Sequence, residues 1–300
     1  MVAQIRARDR VAGMTVPPLF DRSGSADPIT PVVITVPHAG RHYPAGILRD
    51  ARVPAEQLQQ FEDRHADRLI RIAASEGHCC LIANWARAWI DLNRSEREID
   101  PATMTPPPSP GMIDASARAS GGLGLIPRRH GATDIWRRPF SHAEFEARIA
   151  TAHRPWHAEV GRAIGERVRA HGLAILLDVH SMPPLPARNG KRAASVVIGD
   201  RHGTTAPPGL VAAAGAVLDA HGLKVAINDP YAGGHMLARH ARPDAGIYAI
   251  QVEFDRALYL APGLDHPLDD CGGIDKLVAA LARLMAQWVA QAPPVALAAE

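Results

Sequence analysis

Short β-branched runs alternate with segments of helical periodicity along this chain, and several of the runs end on His, Asp, Asn or Glu. Strands that return through helices build a mostly parallel sheet covered on both faces, so few other folds remain open. Val32-Val33-Ile34-Thr35-Val36, stopped by Pro37, reads as a buried strand. Residues 79–83, 88–92, 173–177, 195–198, 223–227 and 247–254 read the same way. Leu58, Phe61, His65, Leu69 and Ile72 mark a helix from Pro54 to about Ser75, closed by Gly77. A second helix starts at Ser141, with Glu144 at the capping-box position, and runs to His171-Gly172, divided by Pro155. Two more cover 207–220 and 274–291.

The expected fold is therefore α/β: a single three-layer domain over residues 28–292, with a mixed, mostly parallel open sheet. Residues 1–27 read as an N-terminal arm and 293–300 as a loose tail. The segment from about 95 to 141 is rich in Pro, Gly, Ser and Arg. An insertion of that length is expected to serve as a lid or specificity loop. His235 and His240 follow Gly233-Gly234 and read as histidines of a mobile loop without a role.

Composition narrows the function. Lys and Arg number 33 against 31 Asp and Glu, a net charge of +2. Such a balance argues against a nucleic-acid binder. The Arg128, Arg129, Arg137 and Arg138 stretch reads as a solvated face that can also steer anionic substrates. No stretch approaches the roughly 20 apolar residues of a membrane span, and Met1–Arg10 lacks an apolar signal core. The three cysteines form no CxxC, and Cys79-Cys80 reads as inert core. A cytoplasmic chain with neither nucleic-acid nor membrane partners is expected.

Chemistry gathers where strands end: Pro37-His38, Asp91-Leu92-Asn93-Arg94, Asp178-Val179-His180-Ser181 and Glu253. Ligands of open α/β sheets bind outside those carboxyl ends. His38, Arg94, His180 and Glu253 can thus converge on one site. Two imidazoles and a carboxylate make a three-ligand zinc site with an open position for water. A separate glutamate can take that water's proton and return it to a leaving amine. An Arg beside an Asn can hold a carboxylate through charge-assisted hydrogen bonds. Together these residue types point to metal-assisted hydrolysis of an amide in a small anionic N-acyl amino acid.

The segments VVITVPHAGRHYP, FEDRHADRL, ARAWIDLNR, GLGLIP, HRPWH, LLDVHS, VVIGDRHG, AGGHMLARHARP and AIQVEF occur in that order over about residues 30–260. In them the chain resembles the N-formylglutamate amidohydrolase family, relatives of zinc carboxypeptidases and aspartoacylases. The resemblance implies a carboxypeptidase-like fold. It implies zinc-dependent release of formate and glutamate from N-formyl-L-glutamate, a step of histidine breakdown. It implies His38 and His180 as metal ligands, Glu253 as the catalytic glutamate, and Asn93-Arg94 as holders of a substrate carboxylate. Carboxypeptidases draw a His and a Glu from one HxxE motif, whereas here Arg41 stands three positions after His38. The missing carboxylate is assigned to Asp63, with Asp67 the alternative. Asp67 lies four residues before Arg71 and reads more simply as half of a surface ion pair. Arg87 is expected to stabilise the oxyanion, and His65 and Asp178 to orient the ligands from behind. Hydrolysis of another N-acyl amino acid or a short peptide, or a catalytically silent binding protein on the same fold, remain the other readings.

Overall fold

A computed structural model describes residues 16–114, 116–187 and 193–291. Its main sheet has seven strands: β1 (Phe20–Ser23), β2 (Val32–Val36), β3 (Cys79–Ala83), β4 (Ala174–Met182), β5 (Val196–Gly199), β6 (Val225–Ile227) and β7 (Ile247–Asp255). The strand order is β1-β3-β2-β4-β7-β5-β6. Four neighbouring pairs are parallel; β1 on β3 and β7 on β5 are antiparallel. The expected mixed, mostly parallel α/β sheet is thus what forms.

The helices that cover the sheet are α1 (Arg71–Ser75), α2 (His142–Arg148), α3 (Arg154–His171), α4 (Pro208–Ala220), α5 (His235–His240) and α6 (Ile274–Gln291). Helices α1, α4 and α6 pack on one face of the sheet through Ile70, Ala73, Leu210, Leu218, Leu277 and Leu281. Helices α2, α3 and α5 cover the other through Phe145, Trp156, Val160, Ile164 and Leu237. Every residue of β2 and β4 is buried, which is why Val32–Val36 and the first half of β4, 174–177, read as near-continuous apolar runs.

Ser141 caps α2 as expected: its Oγ accepts from the Glu144 amide at 3.2 Å and its own amide donates to Glu144 at 2.7 Å. A five-residue π-turn, Ile149–His153, joins α2 to α3. Pro155 comes two residues after this π-turn, and the chain stays helical through it instead of dividing there. Arg138 and the cap together hold the Glu144 carboxyl at about 2. A lowered carboxyl contributes stability above its unfolded value of about 4.3, and loses it as pH falls through the folded value. The Glu144 side chain is partly solvent-exposed, so the ion pair is worth only about 0.2–1 kcal/mol. Glu144→Gln is expected to be less stable by that amount at pH 7 in urea titrations, with the gap closing as pH approaches 2. A gap that persists unchanged at pH 2 would contradict the ionic account.

Four sequence expectations are corrected. The supposed arm contains β1, a partly exposed strand that pairs with β3 at the sheet edge. Residues 88–92 form no strand: Ala88, Ile90 and Leu92 are buried, but the Asp91 amide bonds to the Leu125 carbonyl and Asp91 Oδ1 folds back to the Asn93 amide. The helix over 54–75 breaks into short turns, with His65 in the left-handed region at φ 61°. His235 and His240 begin and end α5, and His240 is buried rather than in a mobile loop.

Candidate functional site

The two-residue period of a strand explains how the site arises. On β4, Ile175, Leu177 and Val179 face the α4/α6 side, while Ala174 and Leu176 face the α3 side. The next two residues on that second face are Asp178 and His180. On β7 the same face carries Ala249, then Gln251 and Glu253. The strands are in register, with Gln251 opposite Asp178 and Glu253 opposite His180. One face of the sheet therefore turns from apolar to polar toward its carboxyl ends while the other stays apolar.

His38 lies just beyond β2, and its carbonyl accepts from the Asp63 amide at 2.9 Å. That bond fixes the break in the 54–75 segment and swings Asp63 under the sheet end. His180 Nδ1 lies 3.0 Å and His38 Nδ1 3.5 Å from Asp63 Oδ2, and the two imidazole centres are 4.7 Å apart. All three side chains are buried. Arg256 takes the other oxygen, Oδ1, at 3.2 Å.

The far nitrogen of each imidazole is also held. His38 Nε2 lies 2.7 Å from Asp91 Oδ1, and His180 Nε2 lies 2.8 Å from Asp178 Oδ2. Thr35 donates to the remaining Asp178 oxygen at 2.7 Å, and Arg87 to the other Asp91 oxygen at 2.8 Å. A carboxylate can only accept, so each Nε2 is the donor. With a proton on Nε2 alone, each ring would turn an Nδ1 lone pair toward Asp63 Oδ2. A positive charge between them, a metal ion or the proton of a charged His180, would satisfy that arrangement. The buried His38 Nδ1 has no hydrogen-bond partner. Imidazoles backed by carboxylates are the usual surroundings of metal-ligating histidines, and the donor atoms lie within 4.8 Å of one another. The residues present fit a divalent metal.

The electrostatics agree. Burial pushes the Asp63 carboxyl up, but hydrogen bonds and charge from His180 and His38 outweigh it and hold the group well below the usual carboxylate range. Burial opposes a charge on His180, yet Asp178 and Asp63 raise it well above the usual imidazole value. The site thus favours positive charge at its centre. Glu253 differs: burial raises its carboxyl, Asp63 adds to that, and His180 pulls against both.

These groups open on a cleft of about 420 Å³. It brings together His38, Asp63, Arg87, Asn93, Arg94, His180 and Glu253. Asp178 stands directly behind His180. His65 is elsewhere: its Nε2 meets the Asp265 carbonyl at 3.1 Å, and the left-handed turn carries it away from the centre. Asp67 is also outside, paired with Arg41 at 2.7 Å and not with Arg71, because no continuous helix spaces those two residues. Arg94 spends Nε on the Leu123 carbonyl and one Nη on the Asn93 carbonyl, so it enters the cleft already fixed.

Sequence reasoning missed Asp91, Gln251, Arg118 and Arg256. Asp91 carried a legible signal, four residues after Arg87 and two before Asn93. Arg118 carried none. It comes from the 95–141 insertion and lines the cleft together with Arg129. Among the described residues Arg118 makes no side-chain hydrogen bond or ion pair. Arg128, next to Arg129 in the basic stretch, is committed to Asp100 and Asp134.

Fold and site together define an α/β enzyme of the hydrolase class, with imidazoles and carboxylates converging at strand ends beneath an arginine-lined cleft. The particular family follows from comparison. The model of the N-formylglutamate amidohydrolase family matches residues 30–260, and the chain belongs to that family. It is 26% identical over 239 residues to N-formylglutamate deformylase of Pseudomonas aeruginosa, covering 77% of this chain and 82% of that protein. The Pseudomonas putida deformylase is 25% identical with the same coverage. The crystal structure of N-formylglutamate amidohydrolase from Ralstonia eutropha JMP134 superposes with a TM-score of 0.83 at 32% identity, over 91% of this chain and 98% of that one.

Proposed function

We propose that this chain hydrolyses the N-formyl amide of N-formyl-L-glutamate to formate and glutamate, using one zinc ion held by His38, Asp63 and His180. The observation that carries the reading is the placement of Glu253 beside the His38–Asp63–His180 centre, in a cleft lined by five arginines. A bound zinc ion would polarise the formyl oxygen and lower the pKa of water toward about 7. The remaining work falls to the chain's own side chains. Glu253 accepts a proton from the attacking water and delivers it to the leaving amine nitrogen, so one water is consumed and the C–N bond breaks. Arg87, fixed by Asp91, faces the negative charge that develops on the formyl oxygen. Arg94 holds one substrate carboxylate, and Asn93 shapes the floor beside it. Arg118, with its guanidinium uncommitted, receives the second carboxylate, which makes a dicarboxylate the matched substrate. Asp91 and Asp178 keep the two imidazoles in the ligating tautomer.

The test is formate release from N-formyl-L-glutamate by the zinc-loaded chain, run beside N-formyl-aspartate, N-acetyl-glutamate and a formyl peptide. Formylglutamate is expected to be preferred, and chelation is expected to abolish turnover until zinc is returned. Preference for the acetyl compound or a peptide would reassign the substrate. Failure to hydrolyse any of them with zinc retained would favour a binding protein on this fold.

A further inference from the structure

A second group of histidines lies outside the cleft. His153 ends the π-turn, His157 follows one helical turn later on α3, and His235 opens α5. Their ring centroids are 4.4 Å (153–157), 5.1 Å (157–235) and 5.7 Å (153–235) apart. His153 is 0% and His157 2% exposed. His153 Nδ1, His157 Nε2 and His235 Nε2 are each buried, and none has a hydrogen-bond partner. Ligand atoms of all three rings fall within 4.8 Å of one another. Three unpaired polar atoms in one buried spot are costly unless something occupies the space between them.

The surroundings set the tautomers. His153 Nε2 lies 2.7 Å from the Arg94 carbonyl, which can only accept, so its Nδ1 carries a lone pair. His157 Nδ1 lies 2.8 Å from His240 Nε2, and in the tautomer where His157 donates along that contact its Nε2 is bare. Burial, and the mutual repulsion of neighbouring cationic groups, keep all four rings neutral: His235 is lowered to about 4 and His240 to about 3. Glu96 Oε1 stands 3.5 Å from His153 Nδ1, held in place by Arg154 at 2.9 Å. Three neutral imidazoles with a carboxylate at hand are a donor set for zinc or a related transition ion. Tetrahedral ligation at about 2.0–2.1 Å brings such nitrogens to about 3.3 Å apart, within reach of small ring rotations. π-Turns, moreover, recur at functional positions in helices.

We propose that His153, His157 and His235 form a second divalent transition-metal site, distinct from the His38–Asp63–His180 centre. Its role is structural. It ties α3 to α5 directly behind the Asn93–Arg94 corner of the cleft, where the Met236 amide donates to Asn93 Oδ1 at 2.8 Å. The His153 ring itself braces the Arg94 carbonyl. Metal here would therefore fix two substrate-facing residues without touching substrate.

The test counts zinc per chain after chelation, reloading with zinc and removal of unbound ion. The full chain is expected to retain two equivalents. The double variant His153→Gln/His235→Gln is expected to retain one, and His180→Gln, which breaks only the central site, is also expected to retain one. Zinc that survives in His180→Gln but not in the double variant supports this site even if the central assignment fails. A double variant that holds as much zinc as the unaltered chain overturns the proposal, as does a single equivalent abolished by His180→Gln. Should the double variant not fold, anomalous diffraction from zinc-saturated crystals of the unaltered chain decides. A peak between the three nitrogens is expected, and its absence rejects the site.

Discussion

Glu253→Gln is expected to lower formate release by roughly a hundred- to ten-thousand-fold, the range that a positioned general base contributes. The substitution keeps shape and hydrogen bonding. Gln251 Nε2 donates to Glu253 Oε1 at 2.8 Å, and a glutamine oxygen can accept the same bond. The strand is buried and in register with β4 at this point, so the backbone has no reason to move. What disappears is the lone pair that takes the water proton. The loss should fall on kcat, with KM little changed, because Arg94 and Arg118 still meet the carboxylates. Removing a negative charge beside Asp63 leaves the imidazole–carboxylate centre complete, so zinc content should be retained. Metal-loaded Glu253→Gln with unaltered turnover would end the assignment of Glu253 as the base.

How much of this could be read in advance depended on which interactions decide each element. LLDVHS and AIQVEF were legible because a strand alternates strictly. Leu177 and Val179 keep one face apolar while Asp178 and His180 make the other polar, and Ile250, Val252 and Phe254 do the same against Gln251 and Glu253. Burying such carboxylates without a function is expensive, so the pattern itself marks a site. The 54–75 segment was illegible for the opposite reason. Its helical spacing is genuine, but the bonds from His38 and Arg256 to the Asp63 backbone and carboxylate override local propensity. Those partners are separated from it by about 25 and 193 residues in sequence, and no local period reports them. Arg118 was hidden because an irregular insertion has no period at all. His235 was set aside because a glycine pair resembles a loop, although here it opens α5.

That glycine pair supplies a second large effect. Gly234→Ala is expected to reduce turnover about a hundredfold and to destabilise the fold, because a Cβ at 234 would lie 2.2 Å from Asn93 Oδ1 and 2.5 Å from its Cγ. The backbone is not the obstacle, since Gly234 has φ −105°. The obstacle is that Asn93 cannot yield. Its Oδ1 accepts from Met236, its Nδ2 donates to Gln251 at 3.2 Å, and its carbonyl accepts from Arg94 at 2.8 Å. Overpacking costs about 1–3 kcal/mol. A Met236 amide stripped of its acceptor costs about 1–3 kcal/mol more. Displacing the Asn93–Arg94 corner by about 1 Å accounts for the hundredfold loss. Gly215→Ala is the matched control. It lies within α4 with open space at its Cβ position, so it should gain about 0.5–1 kcal/mol and leave activity alone. Thermal unfolding and formate release measured on both variants separate steric pressure on Asn93 from any general effect of replacing glycine. A Gly234→Ala protein as active and as stable as the unaltered chain would show that the corner is softer than its hydrogen bonds imply.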